Sequence, residues 1–334
     1  MKKIIYSEPV ELKSIKAVVL GHAVGDALGV PVEFCTRGEL DADPVTDMRG
    51  WGTYAVPEGS WSDDTSMALA TLDSLKQGKL DYDDIMQRFV RWYTLGEYTP
   101  TGAVFDIGGA CRIAIQKYTE GVRPAPLCGG VGESSNGNGS LMRIHPIALY
   151  LFSEGKADVS GIEIIHNASA LTHAHPRSEI ACGIYSLILW ELLRNPCKGS
   201  VVLGMRRAKD IYGVKAPLKN DSFCKEFSLY EKNLISRIGE SSGSVAREEI
   251  KSTGYVVDTL EAAVWCLLTT DSYKDCVLKA VNLGEDTDTV AAIAGGLAGA
   301  LYGLDSIPEE WLGALKRREY VEKMCEDAAK SWKK

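Results

Sequence analysis

Apolar residues recur at steps of three and four along most of the chain, a rhythm that belongs to helices with one buried face. Ile15, Val18, Val19 and His22 share such a face, as do Ile180, Ile184, Leu187 and Ile188. The same spacing returns at Leu260, Ala263, Val264, Leu267 and Leu268, and again at Val290, Ile293, Ala294, Leu297 and Leu301. Alternating runs of the kind a half-buried strand needs are scarce. Gly78, the stretch from Gly121 to Pro126, Pro196 and Pro308 punctuate the Leu-, Ala- and Met-rich segments. An all-α domain of about a dozen helices joined by short connections is therefore expected. With 334 residues, 45% of them hydrophobic, the chain can fill one large core. No fixed-period repeat or low-complexity tract divides it. The most polar and least periodic stretch, Lys198 to Gly254, reads as a peripheral helical excursion or a mobile cover.

A net charge of −8 argues against general binding to nucleic acid or to an anionic membrane, so recognition must be local. The nine cysteines form no CxxC pair and sit in apolar segments, which reads as buried reduced thiols and a cytoplasmic location. Neither an export signal nor a membrane anchor is expected from the N-terminus or from the hydropathy of the rest.

Two acid-rich patches, Ser62-Asp63-Asp64-Thr65 and Gly284-Glu285-Asp286-Thr287-Asp288-Thr289, each run into a helical stretch. Read singly, each is first a helix cap: Ser62 is a natural N-cap, Thr287 or Thr289 can serve the second helix, and acids in a first turn meet the helix dipole favourably. A cap needs one acceptor, however, and these patches offer five acids and several hydroxyls. Such hard oxygen donors suit Mg²⁺, Mn²⁺ or Ca²⁺. The EF-hand pattern is excluded, because counting from Asp286 puts Val290 fifth and Ala291 sixth.

Asp26 lies four residues after His22 on a core-facing stripe, where it needs a partner, either a loop amide, an Arg or a ligand. Gly25 and Gly29 flank it and imply close packing or ligand approach. Glu33 follows Pro31 in a stretch free to act as a lid. In Asn136-Gly137-Asn138-Gly139-Ser140-Leu141-Met142-Arg143 the glycines let backbone N–H groups face an anion, Ser140 can cap the next helix, and Arg143 can neutralise a phosphate; a plain capped loop is the simpler alternative. His173 and His175, two apart before Pro176, suit ligand binding or turn packing better than zinc.

Taken in order, GHAVGDALGVPVEF, WSDDTSMALA, FDIGGA, GNGSLMRIHPIA, LTHAHPRS, GYVVDTLEAAVWC and NLGEDTDTVAAIAGGLAGALYG resemble the motifs of the ADP-ribosylglycohydrolases, the group that includes the dinitrogenase-reductase-activating glycohydrolase and the ADP-ribosyl-acceptor hydrolases. The resemblance covers about residues 15–305. It implies a compact single-domain orthogonal helical bundle spanning 1–334, two Mg²⁺ or Mn²⁺, and hydrolysis of the bond between ADP-ribose and a protein side chain, most often N-linked arginine.

Carried over residue by residue, it implies metal ligands at Ser62, Asp63, Asp64, Asp286, Asp288 and Thr289. Glu33, Asp64 and Asp106 become catalytic acids, with Asp106 placed to pair with a guanidinium. Asp26, Gly108, Asn138, Gly139, Ser140, Met142, His173 and Tyr255 become substrate contacts, Tyr255 as an adenine platform. The implied partners are an ADP-ribosylated protein as substrate and ADP-ribose as product. Two other readings are kept: a hydrolase of the same fold acting on O-linked, nucleic-acid or small-molecule conjugates, and a non-catalytic ADP-ribose-binding or crystallin-like member.

Overall fold

A helix that is apolar on every side is stable only when protein surrounds it. That condition decides the architecture of this chain, seen here in a computed structural model that describes residues 10–213, 221–239 and 244–332. The helices are α1 (Leu12–Gly29), α2 (Arg37–Ala42), α3 (Asp63–Leu75), α4 (Tyr82–Leu95), α5 (Gly109–Thr119), α6 (His145–Ser153), α7 (Val159–Ser169), α8 (Pro176–Arg194), α9 (Lys198–Tyr212), α10 (Asp221–Tyr230), α11 (Val256–Leu268), α12 (Tyr273–Val281), α13 (Thr287–Tyr302), α14 (Glu309–Ala314) and α15 (Arg318–Ser331). All four periodic segments fall on helices, and among the described residues only two isolated bridges, Gly130 with His173 and Gly137 with Tyr255, stand in place of a sheet. The expected all-α single domain is what forms.

At the centre α1 lies against α13, and small residues set how closely. A Cβ at Gly21 would fall 2.6 Å from the Gly295 oxygen, one at Gly25 2.1 Å from the Ala291 oxygen, and one at Gly29 2.3 Å from the Asp288 Cα. Rising numbers on α1 meet falling numbers on α13, so the pair is antiparallel. The glycines of α1 thus serve helix packing, the first of the two roles their spacing suggested. The stretch Leu12–Val32 is long and apolar enough to cross a membrane, yet 94% of its most apolar window is buried inside the protein. Around this pair one continuous apolar cluster extends from Val10 to Trp332. It therefore passes the 305 boundary: α15 contributes Val321, Met324, Cys325 and Ala328, and the Trp332 indole donates to the Leu75 oxygen at 3.0 Å.

The 198–254 excursion is helical and firmly seated over its described parts. Val201, Met205, Ala208 and Tyr212 of α9 are buried, and Gly204 packs on the Ile188 backbone of α8. Arg177 at the head of α8 pairs with buried Glu226 of α10 at 2.7 Å, and the Tyr230 hydroxyl donates to the Arg177 oxygen. Residues 214–220 and 240–243 lie outside the described residues. All nine cysteines are free thiols. Six are buried as expected, whereas Cys197 is exposed.

Candidate active site

Three helices begin at one end of the α1/α13 pair, and their N-termini set the site. Ser62 caps α3, its Oγ accepting from the Asp64 amide at 3.3 Å, which puts Asp63 and Asp64 in the first turn. Asp286 stands at the cap position of α13 without bonding its amides through its side chain, and Asp288 lies in the first turn. Neither Thr287 nor Thr289 caps this helix. The Thr287 hydroxyl donates to the Gly29 oxygen at 2.8 Å, locking α13 to the end of α1, and Thr289 donates to Asp64 Oδ1 at 3.3 Å. The third start is α5, whose N-cap Gly108 supplies no side chain and whose amide donates to Asp63 Oδ2 at 3.2 Å. The positive ends of three helix dipoles thus face one region, where they favour negative charge.

That region is a cavity of about 410 Å³ lined by Glu33, Asp63, Asp106, Asp286 and Thr289 on one side, and by Gly108 to Cys111, Gly137 to Gly139, Met142 and His173 on the other. Two triads of carboxylate oxygens lie within 4.8 Å of one another: Asp26, Asp64 and Asp288, and Glu33, Asp286 and Asp288. Asp288 belongs to both. With Asp63 and Asp106 beside them, seven acids cluster here, of which Glu33, Asp63, Asp106 and Asp286 line the cavity, and among the described residues no Lys or Arg lines it.

The electrostatic consequence is strain in the ionised state. Burial, followed by the charge of their neighbours, pushes the carboxyls of Asp63, Asp64 and Asp288 well above the usual range. Glu33 is pushed up to about 8 by burial and by Asp106, although the Tyr54 hydroxyl donates to its Oε2 at 2.5 Å. Burial also raises Asp106 and Asp286. Protons or cations must balance this charge. The residues fit a divalent cation: the donors are hard oxygens, they converge, and Asp286 Oδ1 is buried with no hydrogen-bond partner while its Oδ2 accepts from Asn138 Nδ2 at 2.7 Å.

Several of the expected residues lie off the cavity wall. Asp26 does not line it, although its carboxylate belongs to one of the two triads. It is fully buried, its Oδ1 accepting from the Ser62 amide at 2.8 Å and its Oδ2 from the Thr65 amide and hydroxyl at 3.0 and 2.6 Å, so it anchors the start of α3. Ser140 does not line the cavity and caps no helix. It is buried beside Ser169, whose hydroxyl donates to it at 2.9 Å, and α6 begins only at His145. Arg143 faces no anion. It is buried among Phe89, the Ala168 oxygen and the Thr172 hydroxyl. Tyr255 does not line the cavity, and the Arg177 guanidinium lies 5.7 Å from its ring centre. Glu33 is not loose: Thr53 donates to its oxygen at 2.8 Å, and the next amide, of Phe34, donates to Glu285 at 2.7 Å. His173 lines the cavity as a neutral ring, burial holding it down at about 3, whereas His175 caps α8 by accepting from the Arg177 amide. Tyr54 was not singled out by sequence, because it lies in an aperiodic loop where nothing marks an aromatic hydroxyl as functional.

The sequence model of the ADP-ribosylglycohydrolase family matches residues 7–334. The chain belongs to that family. It is thereby an enzyme of the class that hydrolyses ADP-ribosyl glycosidic bonds. It is 34% identical over 320 residues to the ADP-ribosylarginine hydrolase Tri1 of Serratia proteamaculans (strain 568), covering 96% of this chain and 80% of that one. It is 35% identical over 302 residues to the ADP-ribosyl-[dinitrogen reductase] glycohydrolase of Rhodospirillum rubrum, covering 89% of this chain and 88% of that one. A solved ADP-ribosylglycohydrolase-related protein complex superposes with a TM-score of 0.76 at 31% identity, covering 96% of this chain and 98% of the other. The ADP-ribosylglycohydrolase fold thus extends along nearly all of this chain.

Proposed function

We propose that this ADP-ribosylglycohydrolase releases ADP-ribose from modified arginine side chains, using divalent cations held by the paired acid patches. The observation that carries the reading is the seven-acid cluster, with Asp288 common to both triads and, among the described residues, no Lys or Arg in the cavity wall. The two relatives at 34% and 35% identity, one named for ADP-ribosylarginine and one for a modified protein, support the choice of acceptor.

Asp63, Asp64, Asp286 and Asp288, with the Ser62 and Thr289 hydroxyls, would hold two Mg²⁺ or Mn²⁺. When bound, the cations supply Lewis acidity at the vicinal ribose hydroxyls and at water. The Gly137 to Gly139 loop and the uncapped start of α5 line the opposite wall, where backbone N–H groups suit the diphosphate. Breaking the bond from C1″ to the guanidino nitrogen builds positive charge on the ribose, which the surrounding carboxylates stabilise, and water adds at C1″ in place of the nitrogen. The leaving nitrogen needs a proton, and Glu33 reaches into the cavity to move it. Asp106, on the same wall, pairs with the guanidinium.

The nine free cysteines support a reducing, cytoplasmic setting. Purified protein should release free ADP-ribose from an arginine-ADP-ribosylated substrate in Mg²⁺ and stop in EDTA. Parallel arms with serine-linked and nucleotide-linked conjugates test the acceptor, and equal turnover with and without EDTA would sink the metal assignment.

A further inference from the structure

Around Glu33 stand aromatic side chains, two of which, Phe34 and Trp51, the hydrolytic chemistry does not use. Phe34 and Trp51 are each 68% exposed, unusual for rings of that size. Both also adopt left-handed backbone, with φ of 68° and 70°, a region that bulky residues avoid and that Gly or Asn would occupy at little cost. Neither is a loose end. The Phe34 amide donates to Glu285 and the Trp51 amide to Val56, each at 2.7 Å.

Both residues are tied to the segment that carries one acid, Glu33. Phe34 follows Glu33 directly, and the turn carrying Trp51 is fastened to the backbone before it. The Thr53 amide donates to the Pro31 oxygen at 3.0 Å, the Thr53 hydroxyl donates to the Glu33 oxygen, and Gly52 packs so tightly on Pro31 that a Cβ would fall 1.7 Å from its oxygen. From that turn Tyr54 reaches to the Glu33 carboxyl, and its ring meets Phe105 with centroids 5.1 Å apart. Phe105 in turn precedes Asp106. Phe34, Glu33 and Asp106 therefore line the cavity together, with Tyr54 bonded to Glu33 and Phe105 packed on Tyr54.

We propose that Phe34, Trp51 and the Tyr54–Phe105 pair form an acceptor-side rim that grips the polypeptide segment carrying a modified arginine. The inference rests on the hydrolase reading and deepens it by naming the form of the acceptor. The occupant follows from complementarity. Exposed rings beside carboxylates suit a chain that brings apolar stems and a guanidinium together, through apolar contact and cation–π attraction.

The test compares the parent with Trp51→Gly and Phe34→Gly, both of which suit left-handed backbone; Trp51→Asn and Phe34→Asn repeat it with a second residue at ease there. Substrates are an arginine-ADP-ribosylated protein and free ADP-ribosylarginine. The ratio of kcat/KM for the protein over that for the free compound should fall by about tenfold, mostly through KM, a change worth about 1.4 kcal/mol. An unchanged ratio in all variants overturns the proposal, as does a parent that turns over only the free compound. If the parent hydrolyses neither, the hydrolase reading fails on its own, and the rim is judged by binding. Immobilised ADP-ribosylated protein should then hold the parent about tenfold more tightly than the variants, and equal affinities overturn it.

Discussion

Replacing Gly25 by Ala tests whether the contact between α1 and α13 sets the site. The added methyl would lie 2.1 Å from the Ala291 oxygen, where ordinary contact begins at 3.4 Å. The obstacle is backbone on the facing helix, with the Ala291 carbonyl carbon at 2.6 Å, so no side-chain rotation relieves it. The helices must separate locally by about 1 Å. Overpacking of this kind costs about 1–3 kcal/mol, against which the better helix propensity of Ala returns about 1 kcal/mol. The melting temperature should fall by a few degrees. Activity should fall far more, because separation moves Asp26, which anchors α3, away from Asp288, and a displacement near 1 Å at a catalytic constellation costs on the order of a hundredfold. Gly38→Ala in α2 is the control: the same methyl meets nothing within 4 Å, so it should stabilise by about 1 kcal/mol and leave turnover alone. Thermal melts and ADP-ribose release measured on both variants decide the matter. A Gly25→Ala protein that melts with the parent and keeps its activity would refute the reasoning.

Tyr54→Phe deletes the hydroxyl that donates to Glu33 Oε2, and because a hydrogen bond to such a group is worth about 1.5–3 kcal/mol, kcat should drop between roughly tenfold and a hundredfold with the melt unchanged. The thermal gain from Mg²⁺ over EDTA should grow as pH rises from about 5 to 8. In the metal-free fold the raised carboxyls, Glu33 up to about 8 and Asp63, Asp64 and Asp288 well above normal, bind protons that the unfolded chain has lost, so rising pH removes stability in that window. Buried His22, His166 and His173, each held down at about 3, act in the opposite sense between about 3 and 6.5, but they are common to both melts and cancel in the difference. A gain that is flat or shrinking with pH would contradict the clustered-acid account. Asp288→Asn, which removes the acid shared by both triads, should abolish turnover, raise the melting temperature in EDTA and erase most of the Mg²⁺ gain; full activity would exclude the binuclear arrangement.

How far the site can be read from sequence depends on the range of the interaction. Ser62 as a cap and Asp63 and Asp64 in a first turn are properties of neighbouring residues, and the spacing alone carries them. Asp26 shows where such reasoning stops. Periodicity puts it on a buried face, and the polar stripe says it needs a partner, but whether that partner is a ligand or the amides of Ser62 and Thr65 depends on a helix beginning 36 residues away. Ser140 and Arg143 are misplaced for the same reason, since a loop sequence does not reveal that Ser169 at the end of α7 and Thr172 just after it will claim their polar atoms. The meeting of the two acid patches is longer in range again, Asp64 and its partner Thr289 standing 225 positions apart. Its cause was nonetheless visible. Gly25 and Gly29, with Gly21 a turn earlier, recur every fourth residue on one stripe of α1, a spacing that suits close packing or ligand approach; the stripe names neither the first of these as the answer nor α13 as the partner. Once that partner is known, the register follows, because Gly29 against Asp288 fixes which turn of α13 stands beside the end of α1. The glycines that cost α1 helix propensity are therefore what bring the carboxylates into one site.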